Sequence, residues 1–111
     1  MKYTGFGAFE ELVLLTVGVL QAEAYGVAIK EEIENRTGRR PSIGALHSAL
    51  SRLEKKGFIS SLEGGATADR GGRRKRFYQL TSAGKEALIA AHELRNDLFN
   101  NIPKLSWDVL S

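Results

Sequence analysis

Apolar positions fall into four stretches at helical period, divided by glycine, proline and two short strand-like runs. The first, Phe9 to Gln21, reads FEELVLLTVGVLQ. Phe9, Leu12, Val13, Leu15, Val17, Val19 and Leu20 make it apolar nearly all round. A helix of that kind is covered on more than one side, and in a small chain the expected second cover is a partner subunit. The valines also suit a strand; Glu10 and Glu11, placed where a first turn favours acids, decide for a helix. Residues 1–7 read as a loose arm before it. Ala24-Tyr25-Gly26 then turns the chain into a second helix over Gly26–Arg36. Its buried stripe is Tyr25, Ile29 and Ile33, with Lys30, Glu31, Glu32 and Glu34 toward water, and Thr37-Gly38 ends it.

The third stretch organises the rest. Pro41 blocks continuation of the preceding helix, and Ser42 is a good N-cap because its hydroxyl can accept from a free first-turn amide. Ile43, Leu46, Leu50 and Leu53, with Ala49 beside them, form one apolar stripe. Lys55 and Lys56 suit the last turn, and Gly57 offers a left-handed stop. The opposite face carries Gly44, His47, Ser48, Ser51, Arg52 and Lys55, small or basic and never acidic. It bears no large apolar anchor. Such a face fits a major groove about 12 Å wide. An ordinary solvated face is the plainer alternative for this helix taken alone.

Two strands follow, Phe58–Leu62 (FISSL) and Arg76–Thr81 (RFYQLT), rich in aromatic and β-branched residues. Between them EGGATADRGGRRK reads as a long hairpin loop. Arg70, Arg73, Arg74, Lys75 and Arg76 place five cations within seven residues. A solvated basic run is again the plain alternative; a loop held by two strands beside a presented helix suits a wing lying along phosphates.

The fourth stretch, Gly84 to Ile102, is capped by Thr81 or Ser82 and would be roughly 28 Å long. Leu88, Ala91, Leu94, Leu98 and Ile102 form its stripe, widened by Ala87 and Phe99. With no core left to cover, this is a dimerisation helix. Pro103 stops it, and Leu105, Trp107, Val109 and Leu110 make an apolar tail. The fold class is therefore mainly α with a small β-hairpin: a winged helix-turn-helix over residues 1–81, then a C-terminal dimerisation helix and short tail over residues 82–111. The expected dimer interface is Phe9, Leu12, Leu88, Ala91, Leu94, Leu98 and Ile102.

Charge sharpens the picture. The net charge of +3 over 111 residues hides a segregation. Residues 1–35 hold two basic side chains against six acidic, residues 36–81 eleven against three, and residues 82–111 three against four. All the surplus positive charge lies on the third helix and the hairpin, as a nucleic-acid surface requires. No cysteine is present, so disulfides and thiolate metal sites are excluded. No signal pattern or membrane-length apolar run occurs, which makes a cytoplasmic location the expectation. His47 and His92 fit no metal-ligand spacing; His47 reads as a groove contact or solvated side chain, His92 as a helix-surface residue. The loop glycines 64, 65, 71 and 72 lack the ending of a phosphate loop. No catalytic constellation, cofactor or metal site is indicated.

These residues resemble the PadR-like transcriptional regulators. The resemblance rests on Tyr25-Gly26, Ile29 and Leu46, on Leu50-Ser-Arg-Leu-Glu-Lys-Lys-Gly57, and on Lys75-Arg-Phe-Tyr78-Gln-Leu-Thr81-Ser-Ala-Gly84. The LxRLExxG and KxxYxLTxxG blocks are its specific part, and it covers about residues 8–100. It implies a homodimeric repressor on a short inverted-repeat operator, with the dimer built from the first and last helices. Some members also bind small aromatic effectors at the dimer interface, so the resemblance leaves room for one here. The family's usual Tyr-Pro pair early in the third helix is His47-Ser48 here, and the wing is unusually Arg-rich. Some short members use a Trp on the last helix; Trp107 lies beyond Pro103, so that role is not carried over.

The expected DNA-binding residues are Arg39, Arg40, Ser42, Gly44, Ala45, His47, Ser48, Ser51, Arg52 and Lys55 around the third helix, with Arg70, Arg73, Arg74, Lys75 and Arg76 on the wing. The rival expectation is a winged-helix module that uses the same face to bind an acidic partner protein.

Overall fold

A computed structural model describes residues 5–64 and 75–104 of the chain. The elements are α1 (Ala8–Leu20), a short 3-10 turn (Gln21–Glu23), α2 (Gly26–Thr37), α3 (Ile43–Lys55), β1 (Ile59–Gly64), β2 (Lys75–Leu80) and α4 (Ser82–Asn100). The predicted order of three helices, hairpin and long helix holds. The strands begin and end a residue or two from their expected bounds, with Gly64 and Lys75 in the ladder rather than the loop.

Local chemistry sets the boundaries. Glu10 and Glu11 occupy the first turn of α1. α2 ends at Gly38, whose φ of 75° is the left-handed stop a glycine adopts without a Cβ penalty. Ser42 caps α3, its Oγ accepting from the Ala45 amide at 3.0 Å, and Gly57 turns the chain out at φ 80°. Thr81 caps α4: its Oγ1 accepts from the Gly84 amide at 3.0 Å and donates to the Gly57 carbonyl.

β1 and β2 pair antiparallel, from Ile59 opposite Leu80 to Gly64 opposite Lys75. The chain just before α2 adds to this hairpin: the Tyr78 amide donates to the Ala24 carbonyl at 2.8 Å, and Tyr25 bridges Phe77.

One core fills the space between α1, α2 and α3. Val13, Leu14, Val17, Ile29, Ile33, Leu46, Leu50 and Leu53 are fully buried, with Ile59, Tyr78 and Ala91 closing it from the hairpin and α4. Each large apolar side chain so buried contributes about 1.5–3 kcal/mol relative to exposure. Among the described residues no buried side-chain polar atom lacks a partner.

Four expectations are corrected. Phe6 is buried and packs edge-on against Phe58 at 5.7 Å, so the part of the arm described here is docked rather than loose. Ile43 is 48% exposed: it stands one turn ahead of the core and is the large apolar residue the outer face was thought to lack. Lys30, Glu32 and Glu34 are half-buried, held in the pairs Lys30–Glu34 and Arg36–Glu32 along α2. The first half of α4 does cover core, since Ala91 is buried and Ala87 and Leu88 pack against it.

Candidate nucleic-acid interface

α3 shows its predicted outer face to solvent. Gly44, Ala45, His47, Ser48, Ser51, Arg52 and Lys55 are all exposed, and so are Arg39, Arg40 and Ser42 ahead of them. Arg39 is partly committed: its guanidinium carbon lies 5.4 Å from the centre of the Phe9 ring, and its amide donates to Thr37 Oγ1. Arg40 makes no such contact. Of the five wing cations, Lys75 and Arg76 are described, both exposed on β2; Arg70, Arg73 and Arg74 lie outside the described residues.

Three consecutive residues fasten α3 to three different elements. Arg52 Nε donates to Glu10 Oε2 of α1 at 2.6 Å. Leu53 is fully buried in the core. Glu54 accepts from Ser61 of β1 at 2.7 Å and lies 3.9 Å from the Arg76 guanidinium of β2. Glu10 also accepts from Lys56 Nζ at 2.8 Å, and the same ammonium donates to the Gly5 carbonyl at 2.6 Å. Burial works to raise the Glu10 carboxyl, but hydrogen bonds and charge from Lys56 and Arg52 outweigh it and hold the group below the ordinary carboxylate value. At neutral pH Glu10 is therefore a charged, nearly enclosed clamp.

The wing root is fixed as well. Tyr25 meets Phe77 in an edge-on contact at 5.5 Å, and Lys75 Nζ sits 4.2 Å from the centre of the Tyr25 ring. Burial pushes the Tyr78 phenol up, against the opposing charge of Arg76, so it stays neutral. A cavity of about 460 Å³ opens where α2, α3 and β2 meet, lined by Tyr25, Val27, Ile43, His47, Lys75 and Arg76 among others. Its walls are cationic on the β2 side and apolar on the helix side.

Comparison with known proteins bears on what a helix face of small and basic donors beside a cationic strand is for. Residues 14–90 match the model of the transcriptional regulator PadR-like family. The chain belongs to that family. DNA-binding regulation of transcription is thereby assigned at family level, and the family's members are regulators rather than enzymes.

Solved structures agree. A PadR family transcription regulator from hypervirulent Clostridium difficile R20291 is 28% identical, with a TM-score of 0.65, covering 95% of this chain and 100% of its own. The complex structure of hsRosR-SG aligns with a TM-score of 0.70 at 26% identity, over 98% of this chain and 89% of that one. An uncharacterised protein of Lysinibacillus sphaericus is 39% identical over 72 residues, which span 63% of this chain and 63% of that relative.

In this PadR-like chain a second surface is apolar. The far half of α4 leaves Leu98 61% and Phe99 60% exposed, with Ile102 beyond them. On α1, Leu15 and Val19 are exposed one turn apart. Phe9, Leu12, Leu88 and Leu94 are half-buried, and Ala91 is buried. The Arg95 guanidinium of α4 pairs with Glu11 of α1. A cavity of about 360 Å³ lies between the start of α1 and α4, lined by Phe6, Ala8, Ala91, Leu94 and Leu98 among others. Trp107 and the rest of the tail lie outside the described residues. His92 is an exposed helix residue, as expected, with Nε2 3.1 Å from Asn96 Nδ2.

Sequence reasoning missed Glu10 and Glu54 as positioning groups. Glu54 had a signal, since it stands within the LxRLExxG block. Glu10 had only its place in a first helical turn, which explains an acid there without revealing partners 42 and 46 residues away.

Proposed function

We propose that this PadR-like regulator is a homodimeric, sequence-specific repressor of an inverted-repeat operator. The observation that carries the reading is the outer face of α3. Seven small or basic residues stand exposed there without an acid, next to Lys75 and Arg76. His47, Ser48 and Ser51 would meet base edges, Gly44 and Ala45 would allow close approach, and Arg52, Lys55, Arg39, Arg40 and Ser42 would reach bases or flanking phosphates. Ile43 and Val27 would supply apolar contacts of the kind thymine methyls accept. Arg70, Arg73, Arg74, Lys75 and Arg76 would hold phosphates along the wing.

Residues 1–81 would form the DNA-binding unit and residues 82–111 the dimerisation unit. Phe9, Leu12, Leu88, Leu94, Leu98 and Ile102 would line the seam, with Ala91 behind them in the subunit's own core, and half-sites would repeat at ~34 Å. The cavity between α1 and α4 supports a small aromatic effector at that seam. A cytoplasmic location accords with this function, and among the described residues no helix is long and apolar enough to cross a membrane.

The test is binding to random and inverted-repeat DNA across salt, read by fluorescence anisotropy. A steep negative log–log slope with a tightly bound subset of sequences is expected. Arg74→Ala should weaken all sequences alike and reduce the slope by about one. A change in base preference at one position with the slope intact would remove Arg74 from the phosphates. One observation favours a second reading: exposed Ile43 and Val27 give an acidic partner protein an apolar anchor beside cationic Lys75 and Arg76. Absence of DNA binding even at low salt would promote it.

A further inference from the structure

Glu10 lies on α1, away from the outer face of α3, and is only 9% exposed. Its two carboxylate oxygens are divided between two cations of the α3 end, Oε2 taking Arg52 Nε and Oε1 taking Lys56 Nζ. Arg52 itself remains 53% exposed. The bond to Glu10 uses one of the five N–H donors of the guanidinium and leaves the four terminal ones for a ligand. Free arginine carries a large rotamer entropy, which a ligand has to remove when it binds. A carboxylate anchored on the neighbouring helix removes it beforehand and fixes the plane of the guanidinium.

We infer that Glu10 is a specificity-positioning residue for DNA, holding Arg52 from behind so that its terminal N–H groups are presented in one orientation on the outer face of α3. The inference rests on the reading of that face as the DNA-contact surface. It assigns to α1 a part in recognition, although α1 lies outside the proposed contact face. Lys56 serves the other half of the clamp: by bridging Glu10 to the Gly5 carbonyl it closes the carboxylate from solvent.

Orientation and charge pull in opposite directions, which makes the role measurable. Glu10→Gln removes a negative charge near the phosphates, so non-specific affinity should stay level or rise. Specific affinity should fall about three- to tenfold, the cost of ordering one long side chain on binding. The ratio of the two, measured by anisotropy at one salt concentration on operator and scrambled DNA, is the readout.

Two further variants separate positioning from a general loss of stability. In an Arg52→Ala background the Glu10→Gln change should leave the ratio unaltered, because nothing remains to be oriented. Lys56→Met strips the other partner from Glu10 and should keep the ratio near wild type, whatever it does to melting temperature. The inference is overturned if Glu10→Gln lowers the ratio equally with and without Arg52, or if Lys56→Met lowers it as far. It is overturned too if Glu10→Gln leaves the ratio unchanged. Wild-type protein that shows no preference between operator and scrambled DNA would instead sink the repressor reading, and this inference with it, before any variant is compared.

Discussion

α3 and the far half of α4 are both amphipathic helices, yet the fold treats them oppositely. α3 buries Leu46, Ala49, Leu50 and Leu53, is capped by Ser42, and is tied by Arg52 and Glu54 to α1 and the hairpin. α4 is seated near its start, where Thr81 and Gly84 rest on Phe58, is packed on the core through Ala87, Leu88 and Ala91, and pairs with α1 through Arg95 and Glu11. Beyond that its Leu98, Phe99 and Ile102 face outward. Internal contacts in this chain serve to hold a polar face still, and the apolar end of α4 stays exposed, which is where the proposed dimer would need it.

The largest effect should come from Leu98→Asp. A buried charge at the seam would turn the dimer into monomers by sedimentation and lower operator affinity by about 10²–10⁴-fold, the gain that bivalency normally supplies. A variant that still sediments as a dimer would move the seam away from this end of α4. Next is Gly84→Ala. The added Cβ would lie 2.0 Å from the Phe58 carbonyl oxygen, a backbone atom that cannot step aside. A loss of about 3 kcal/mol is expected in denaturant unfolding. A loss below 1 kcal/mol would show that the seat of α4 is soft.

Smaller effects probe the fastening of α3. Glu10 has its carboxyl held below the ordinary value of 4.5, so its contribution is present at neutral pH and is lost as pH falls through the folded value, below that point. Wild type should exceed Glu10→Gln by about 1 kcal/mol at pH 7, since Arg52 and Lys56 are open enough for water to screen them. At pH 3 the gap should narrow; an equal gap at both values would mean that the charge contributes nothing. Smallest is Ser42→Ala, which removes the α3 cap and should cost about 0.5–1 kcal/mol in thermal unfolding, with Ser42→Gly costing less.

Much of this was legible in the chain because it depends on neighbours in sequence. Ser42, Gly38 and Gly57, and Thr81 as a cap, act within one turn of themselves, so those roles read directly; the bond from Thr81 to the Gly57 carbonyl does not. The periodic burial of Leu46, Leu50 and Leu53 was legible too. Ile43 was not, because a periodic stripe gives direction but not the point where the core ends; the first turn of α3 projects past it. Ala87 and Leu88 were misjudged for the converse reason: how much core remains uncovered depends on the hairpin's placement. The Glu10 clamp and the approach of Gly84 to Phe58 join residues dozens of positions apart, which no local pattern encodes. At the site, the exposure of the small and basic residues of α3 was foreseen, whereas the exposure of Ile43 and the commitment of Arg39 to Phe9 and of Arg52 to Glu10 were not.

The grip of Arg52, Leu53 and Glu54 on three elements at once has a mechanical consequence. Any tilt of α3 would drag α1 and the hairpin along. In the proposed dimer joined through α4, each subunit would act as one stiff jaw, and the reach between the two copies of α3 would change only by swinging whole jaws about their pivot. A molecule lodged at that pivot would therefore alter the distance at which two half-sites are met, and leave the fit to each half-site as it was.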